Sequence, residues 1–131
     1  MSRLLCDLTP AVREQAYKLI ALCAEAGVPV MIITTLRTAE EQADAVARGV
    51  SWTLHSKHEA QPPDGLSHAI DVCPYSQFTL HGHNALQWDI SDPAFQTIGK
   101  IGESIGLKWG VWLDGVHKDL GHFEYVEEKT T

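Results

Sequence analysis

A chain of 131 residues with 44% hydrophobic content is the size of one domain, and it can bury a core without disulfide support. Its net charge of −7, with ten Lys and Arg scattered along it, argues against a broad phosphate-binding face and so against nucleic acid as a partner. No apolar run approaches a membrane span, so stable membrane insertion is not expected.

Residues 1–7 lack the basic start and apolar stretch of a signal peptide, which points to synthesis in the cytoplasm. Cys6, Cys23 and Cys73 are odd in number and form no CxxC pair. Cys23 and Cys73 read as core residues, Cys6 is unassigned, and a structural disulfide is not expected in a reducing compartment.

Thr9-Pro10 opens a first helix, with a hydroxyl cap and proline at the first helical position. Glu14 follows in the early turns, where a carboxylate suits the helix dipole. Val12, Ala16, Leu19, Ile20 and Cys23 recur at helical spacing, and Gly27 ends the helix. Val28 to Leu36 is rich in β-branched residues and reads as a buried strand. Thr38-Ala39-Glu40-Glu41 is a capping-box pattern for a second helix that runs to about Arg48 and stops at Gly49.

Residues 50 to 67 carry little regular signal, and Gln61-Pro62-Pro63-Asp64-Gly65 reads as a loop. His68 to Cys73 is a strand closed by Pro74, and residues 76 to 91 read as a loop with aromatic patches. Ser91 or Asp92 caps a third helix that turns Phe95, Ile98, Ile101 and Ile105 inward and ends near Gly106. Lys108 to Trp112 and His122 to Val126 read as two final strands, and the last five residues as a frayed polar end. The expected fold is α+β: about three helices on a small, mainly antiparallel sheet, with one domain over residues 1–131.

Three segments of this pattern carry chemistry. His58, Asp71 and His122 supply two imidazoles and one carboxylate, the donor set of a zinc ion that keeps one position open for water. Asp71 stands between Ile70 and Val72 on a strand, so alternation turns it to the opposite face. His122 follows Gly121 at the mouth of a strand, with Phe123 facing away and Glu124 returning to the His122 face. Each residue alone has an ordinary reading: a solvated loop histidine, a solvent-facing aspartate, a satisfied structural histidine. Together they come from separate rigid elements, as a metal site requires. Asp119, three residues before His122, is close enough in sequence to act on a bound water.

The segments Ser56-Lys57-His58, Ala69-Ile70-Asp71 and Gly121-His122-Phe123-Glu124 resemble the D-alanyl-D-alanine metallopeptidase family. That family includes bacterial DD-carboxypeptidases and dipeptidases, and phage L-alanyl-D-glutamate endolysins. Its pattern is SxHxxGxAxD followed by an acid three residues before a last histidine, and the likeness runs from about Pro10 to Val126. Thr35-Leu36-Arg37-Thr38 resembles its arginine-bearing strand, and Gly49-Val50-Ser51 resembles the phage members.

The resemblance implies one Zn2+ held by His58, Asp71 and His122, with Asp119 as general base and acid. It implies that Arg37 steadies the substrate carbonyl and that Ser56 is a hydrogen-bonding partner behind the ligands. It also implies the fold shared with hedgehog signalling domains and a substrate in the stem peptide of peptidoglycan. The phage-like features favour a monomeric endolysin that cuts the L-Ala-D-Glu bond, has no separate wall-binding domain, and reaches the wall through a holin-like pore. A DD-carboxypeptidase or dipeptidase is the second reading, and a non-catalytic zinc-bearing module of the same fold the third. A His-rich metal nuclease fits poorly with the acidic charge.

One departure stands out. The family places its first histidine seven residues before the aspartate; here His58 precedes Asp71 by thirteen, with Glu59 to Ser67 carrying the insertion and Ser67 where glycine is usual. His68 is thus a competing ligand, but three residues from Asp71 on a regular strand it faces the other way. His81-Gly82-His83 reads as a solvated turn, His117 as a residue of the cleft edge, and Trp52, Trp109 and Trp112 as core or cleft walls. His55 has no assigned role.

Overall fold

The computed structural model describes residues 2–49, 56–79, 85–86, 92–110 and 119–126. Trp52, His55, His81, His83, Ser91, Trp112, His117 and the polar end of the chain lie outside the described residues.

Helix α1 spans Pro10–Glu25, α2 Ala39–Ala47 and α3 Ala94–Ser104. Strands β1 (Val30–Thr34), β2 (Ala69–Pro74), β5 (Lys108–Trp109) and β6 (His122–Glu124) form one sheet in the order β1-β2-β6-β5, with every neighbouring pair antiparallel. The expected α+β architecture is therefore present. Residues 76 to 91, read as a loop, also contain a short hairpin of β3 (Phe78–Thr79) and β4 (Ala85–Leu86). Two-residue strands are too short to show a period of two.

Pro10 opens α1 as expected, but Thr9 does not cap it with its side chain. The Thr9 hydroxyl instead donates to Asp64 Oδ2 at 2.7 Å, tying the helix start to the Gln61–Gly65 loop. Glu14 lies beyond the first turn, where the helix dipole has largely faded. The capping box of α2 is complete: Glu41 N–H donates to Thr38 Oγ1 and Thr38 N–H to Glu41 Oε1, each at 3.0 Å. At α3 the Asp92 carboxylate accepts the Ala94 N–H at 2.9 Å. Gly27 and Gly106, past the ends of α1 and α3, take positive φ values of 81° and 94° that other residues rarely adopt.

Val12, Ala16, Leu19 and Cys23 are buried on α1, while Ile20 is only half-buried. On α3 the buried face is Phe95, Ile98, Gly99 and Gly102; Ile101 and Ile105 flank the core rather than fill it. The two glycines let the helix approach the sheet, because a Cβ on Gly99 would lie 2.3 Å from the Trp109 ring and one on Gly102 2.3 Å from Phe123. Trp109 is a core residue, and its indole N–H donates to the Leu120 carbonyl at 2.9 Å.

Central strand β2 is buried along its length except at Asp71, whereas β1 is mostly half-buried because it is the sheet edge. Cys23 and Cys73 are both core residues with thiol pKa values pushed up to about 11, by burial first in each case; Cys6 is exposed. In β2 and β6, Ile70 pairs with Phe123 and Asp71 with His122. Alternation thus sends the first pair into the core and the second to the other face.

Candidate metal centre

The backbone registers that build the core also assemble the polar cluster. Asp71 and His122 are directly opposed across the β2–β6 ladder, and His122 Nδ1 lies 2.9 Å from Asp71 Oδ1. His58 arrives from the loop before β2, and its Nε2 lies 3.0 Å from the same carboxylate oxygen. One donor atom from each of the three residues falls within 4.8 Å of the others, the only such group among the described residues. The two imidazoles meet edge to face with centroids 5.0 Å apart.

His58 reaches the site because the insertion closes on itself. Gln61 N–H donates to the Leu66 carbonyl at 3.0 Å, and Gly65 N–H to the Gln61 carbonyl at 2.8 Å. The ends of the insertion stay joined, with His68 N–H donating to the Lys57 carbonyl at 2.9 Å. Six extra residues therefore leave as a loop without moving His58 away from Asp71. His68 packs edge to face on Tyr125 at 5.6 Å and is absent from the cluster.

Three further contacts fix His58. Its N–H donates to Ser56 Oγ at 3.1 Å, its carbonyl accepts the Arg37 N–H at 2.9 Å, and its Nδ1 lies 2.9 Å from the Thr35 carbonyl. Ser56 thus acts on the backbone of the histidine, not on its ring. The Arg37 guanidinium donates to Gln42 Oε1 at 2.9 Å. Thr35 lies just past the end of β1, after an irregularity in the β1–β2 register between Ile32 and Thr34.

The donor chemistry fits a cation. A carbonyl only accepts, so Nδ1 of His58 carries a proton and Nε2 is the nitrogen turned to the cluster. Nε2 is buried and faces a carboxylate oxygen at 3.0 Å. A ring nitrogen and a carboxylate oxygen this close need a positive charge between them, either a proton on the ring or a metal ion in its place. His58 is 2% exposed and the Asp71 side chain 15%, so solvent does little to screen the pair.

Electrostatics are correspondingly strong. Burial alone would raise the Asp71 pKa, but the charge of His58 and the hydrogen bonds from both imidazoles outweigh it, holding the carboxyl well below the usual range. Burial would likewise lower His122, yet its hydrogen bonds to Asp71 and Glu124 push it up to about 10. Asp119 is raised, by burial first and then by the nearby Asp71 charge, while both histidines pull the other way. It therefore sits within electrostatic reach of all three members of the cluster. Its carbonyl accepts the His122 N–H at 3.2 Å, and its carboxylate accepts from the Gly121 backbone.

Sequence reasoning gave no role to Glu124 or to the Thr35 carbonyl. Alternation along β6 already placed Glu124 on the His122 face, and its Oε1 lies 2.9 Å from His122 Nε2. The Thr35 contact had no sequence signal, because any residue supplies a carbonyl.

No protein-family model matches the sequence, and no curated protein does. Solved structures do match. The chain is similar to the L-Ala D-Glu endopeptidase ChiX of Serratia marcescens, at 22% identity over 93% of this chain and 83% of that one, with a TM-score of 0.59. It is also similar to VanYB in complex with D-alanine-D-alanine, at 15% identity, 92% and 72% coverage and a TM-score of 0.52. A third neighbour, the vancomycin-resistance D,D-pentapeptidase VanY in complex with Zn(II), gives 16% identity, 92% and 73% coverage and a TM-score of 0.52. At these identities the likeness is one of fold: this chain has the fold of peptidoglycan peptidases of the group its motifs resemble.

Proposed function

We propose that this protein is a zinc-dependent peptidase acting on the peptide part of peptidoglycan. The observation that carries the reading is the convergence of the buried His58 Nε2 and of His122 Nδ1 on one carboxylate oxygen, Asp71 Oδ1. His58, Asp71 and His122 would hold the ion. A bound zinc supplies Lewis-acid polarisation of the scissile carbonyl and a water of lowered pKa.

The protein's own groups do the rest. Asp119, half-buried and with its pKa raised, takes a proton from the attacking water and returns it to the leaving amine. Arg37, whose main chain is bonded to that of His58, steadies the carbonyl oxygen as charge develops on it. Ser56 holds the backbone of His58. The endopeptidase neighbour matches over more of its length and with the higher TM-score, which favours an endopeptidase that cuts between L-Ala and D-Glu. The motif likeness to phage members makes an endolysin, released to the wall after cytoplasmic synthesis, the reading we favour.

The D-alanine-D-alanine complex of VanYB supports a carboxypeptidase as the second reading. The test is digestion of purified peptidoglycan by the zinc-loaded protein, with mass spectrometry of the products and Asp119→Ala as control. New D-glutamyl or D-isoglutaminyl amino termini, absent in a control that still binds zinc, are expected. Released D-alanine would move the protein to the carboxypeptidase reading. Tight zinc binding without any cleavage would leave the non-catalytic module.

A further inference from the structure

The two histidines of the cluster are oriented by different means. His58 gives Nδ1–H to the Thr35 carbonyl and turns Nε2 to the centre. His122 is reversed: Nδ1 faces Asp71 Oδ1 at 2.9 Å, and Nε2 lies 2.9 Å from Glu124 Oε1. A carboxylate only accepts, so Nε2 of His122 gives its proton to Glu124, and Nδ1, on the Asp71 side, is the nitrogen on which a cation would replace a proton.

From this geometry we infer that Glu124 is a positioning residue for the metal centre: it fixes His122 so that the ring ligates through Nδ1, while His58 ligates through Nε2. The inference rests on the metal-centre reading above. The arrangement is local to β6. Glu124 lies two residues after His122, so both side chains leave the same face of the strand. Glu124 is paired in the ladder with Ala69 on one side and Lys108 on the other, which sets its backbone independently of the site. Its side chain is 16% exposed, and a hydrogen bond to a charged acceptor in such surroundings holds a ring more firmly than one to water. Without it the imidazole of His122 loses one of the two carboxylate contacts that orient it, and Nδ1 is held on the centre less firmly. Partners of this kind behind a metal ligand typically contribute about 10–100-fold in affinity.

Two measurements test this. The first uses the wild-type chain with nitrogen-15 histidine, loaded with cadmium-113 in place of zinc. Scalar coupling is expected from the metal to Nε2 of one imidazole and Nδ1 of the other; coupling to Nε2 of both would overturn the inference whatever the variants do. The second measures zinc affinity by chelator competition at fixed pH. Glu124→Ala is expected to bind about 10–100-fold more weakly, while Glu124→Gln, which keeps an acceptor oxygen, stays within a few-fold of wild type. An Ala variant as tight as wild type would overturn the role, as would a Gln variant as weak as Ala, since orientation would then not explain the loss. Failure of the wild-type chain to bind either metal is a different result: it would sink the metal-centre reading itself, and this inference with it.

Discussion

His122 and Asp71 are directly opposed in the β2–β6 ladder, with imidazole Nδ1 2.9 Å from carboxylate Oδ1. The neighbouring pair, Ile70 and Phe123, is fully buried. One register therefore sets both the core and the geometry of the His–Asp cluster. A one-residue slip of β6 would put an imidazole into the core and the Phe123 ring on the site, so the packing of the core enforces the site.

Removing the metal should lower stability by mass action, since the unfolded chain has no assembled site. Zinc at a hundred times its dissociation constant should raise the unfolding free energy by about 2.7 kcal/mol. Calorimetric melting with and without chelator should show that rise as a higher Tm. Asp71→Ala removes the oxygen that both imidazoles face, and its melting temperature should not respond to zinc. A zinc response equal to that of wild type would place the ion elsewhere.

Metal uptake should release a proton. In the metal-free protein, hydrogen bonds from His122 to Asp71 and Glu124 outweigh burial and push His122 to about 10, so the ring is cationic at neutral pH. A ligating imidazole must be neutral. Apparent zinc affinity should rise with pH, by up to about tenfold per unit, and level off near the His122 pKa. Titration calorimetry at pH 7.5 in buffers of different ionisation enthalpy should report about one proton released from this residue per zinc bound. The same shift affects the metal-free fold. Its folded pKa lies above the reference value of 6.5, so His122 contributes stability that is complete below 6.5 and is lost as pH rises towards 10. Melting temperature should fall across that window without metal, and fall less with zinc bound.

Much of this was legible in the chain. Periodicity gave α1 and α2 nearly to the residue, and strand parity separated Asp71 from its apolar neighbours. His58 was legible from Ser56-Lys57-His58 in spite of the thirteen-residue gap to Asp71, because an insertion that closes on itself changes spacing without changing geometry. The limits were physical. Thr9 has a hydroxyl suited to capping but spends it on Asp64, a partner 55 residues away that no local pattern reveals. Phe95 and Ile98 were legible on the inward face of α3, whereas Gly99 and Gly102, which let that face approach the sheet, register on no hydrophobic scale. Arg37 could be placed by its main chain beside His58, but its direction depends on tertiary packing.

Gly102→Ala should therefore be costly despite the higher helix propensity of alanine. The new Cβ would lie 2.3 Å from Phe123 Cε1, and Phe123 is fully buried. Ordinary overpacking costs about 1–3 kcal/mol, which exceeds the roughly 1 kcal/mol gained by replacing a helical glycine. Equilibrium denaturation should show a lower midpoint at unchanged slope. A midpoint equal to or above that of wild type would mean that α3 can move off β6 at little cost.

Gly110→Ala should damage the site more than the fold. A Cβ there would lie 2.2 Å from the carbonyl oxygen of Asp119 and 3.1 Å from Cβ of His122. The first neighbour is backbone, so relief requires Asp119 to move. The Asp119 carbonyl also accepts the His122 N–H at 3.2 Å, so the disturbance reaches the metal ligand. Misplacing a catalytic group by about 1 Å can cost about 100-fold in rate, while the clash itself is worth about 1–3 kcal/mol of stability. Turnover of peptidoglycan fragments by the zinc-loaded variant should fall by about two orders of magnitude at a temperature where it remains folded. Loss of activity only in proportion to loss of folded protein would show that Asp119 needs no support from Gly110.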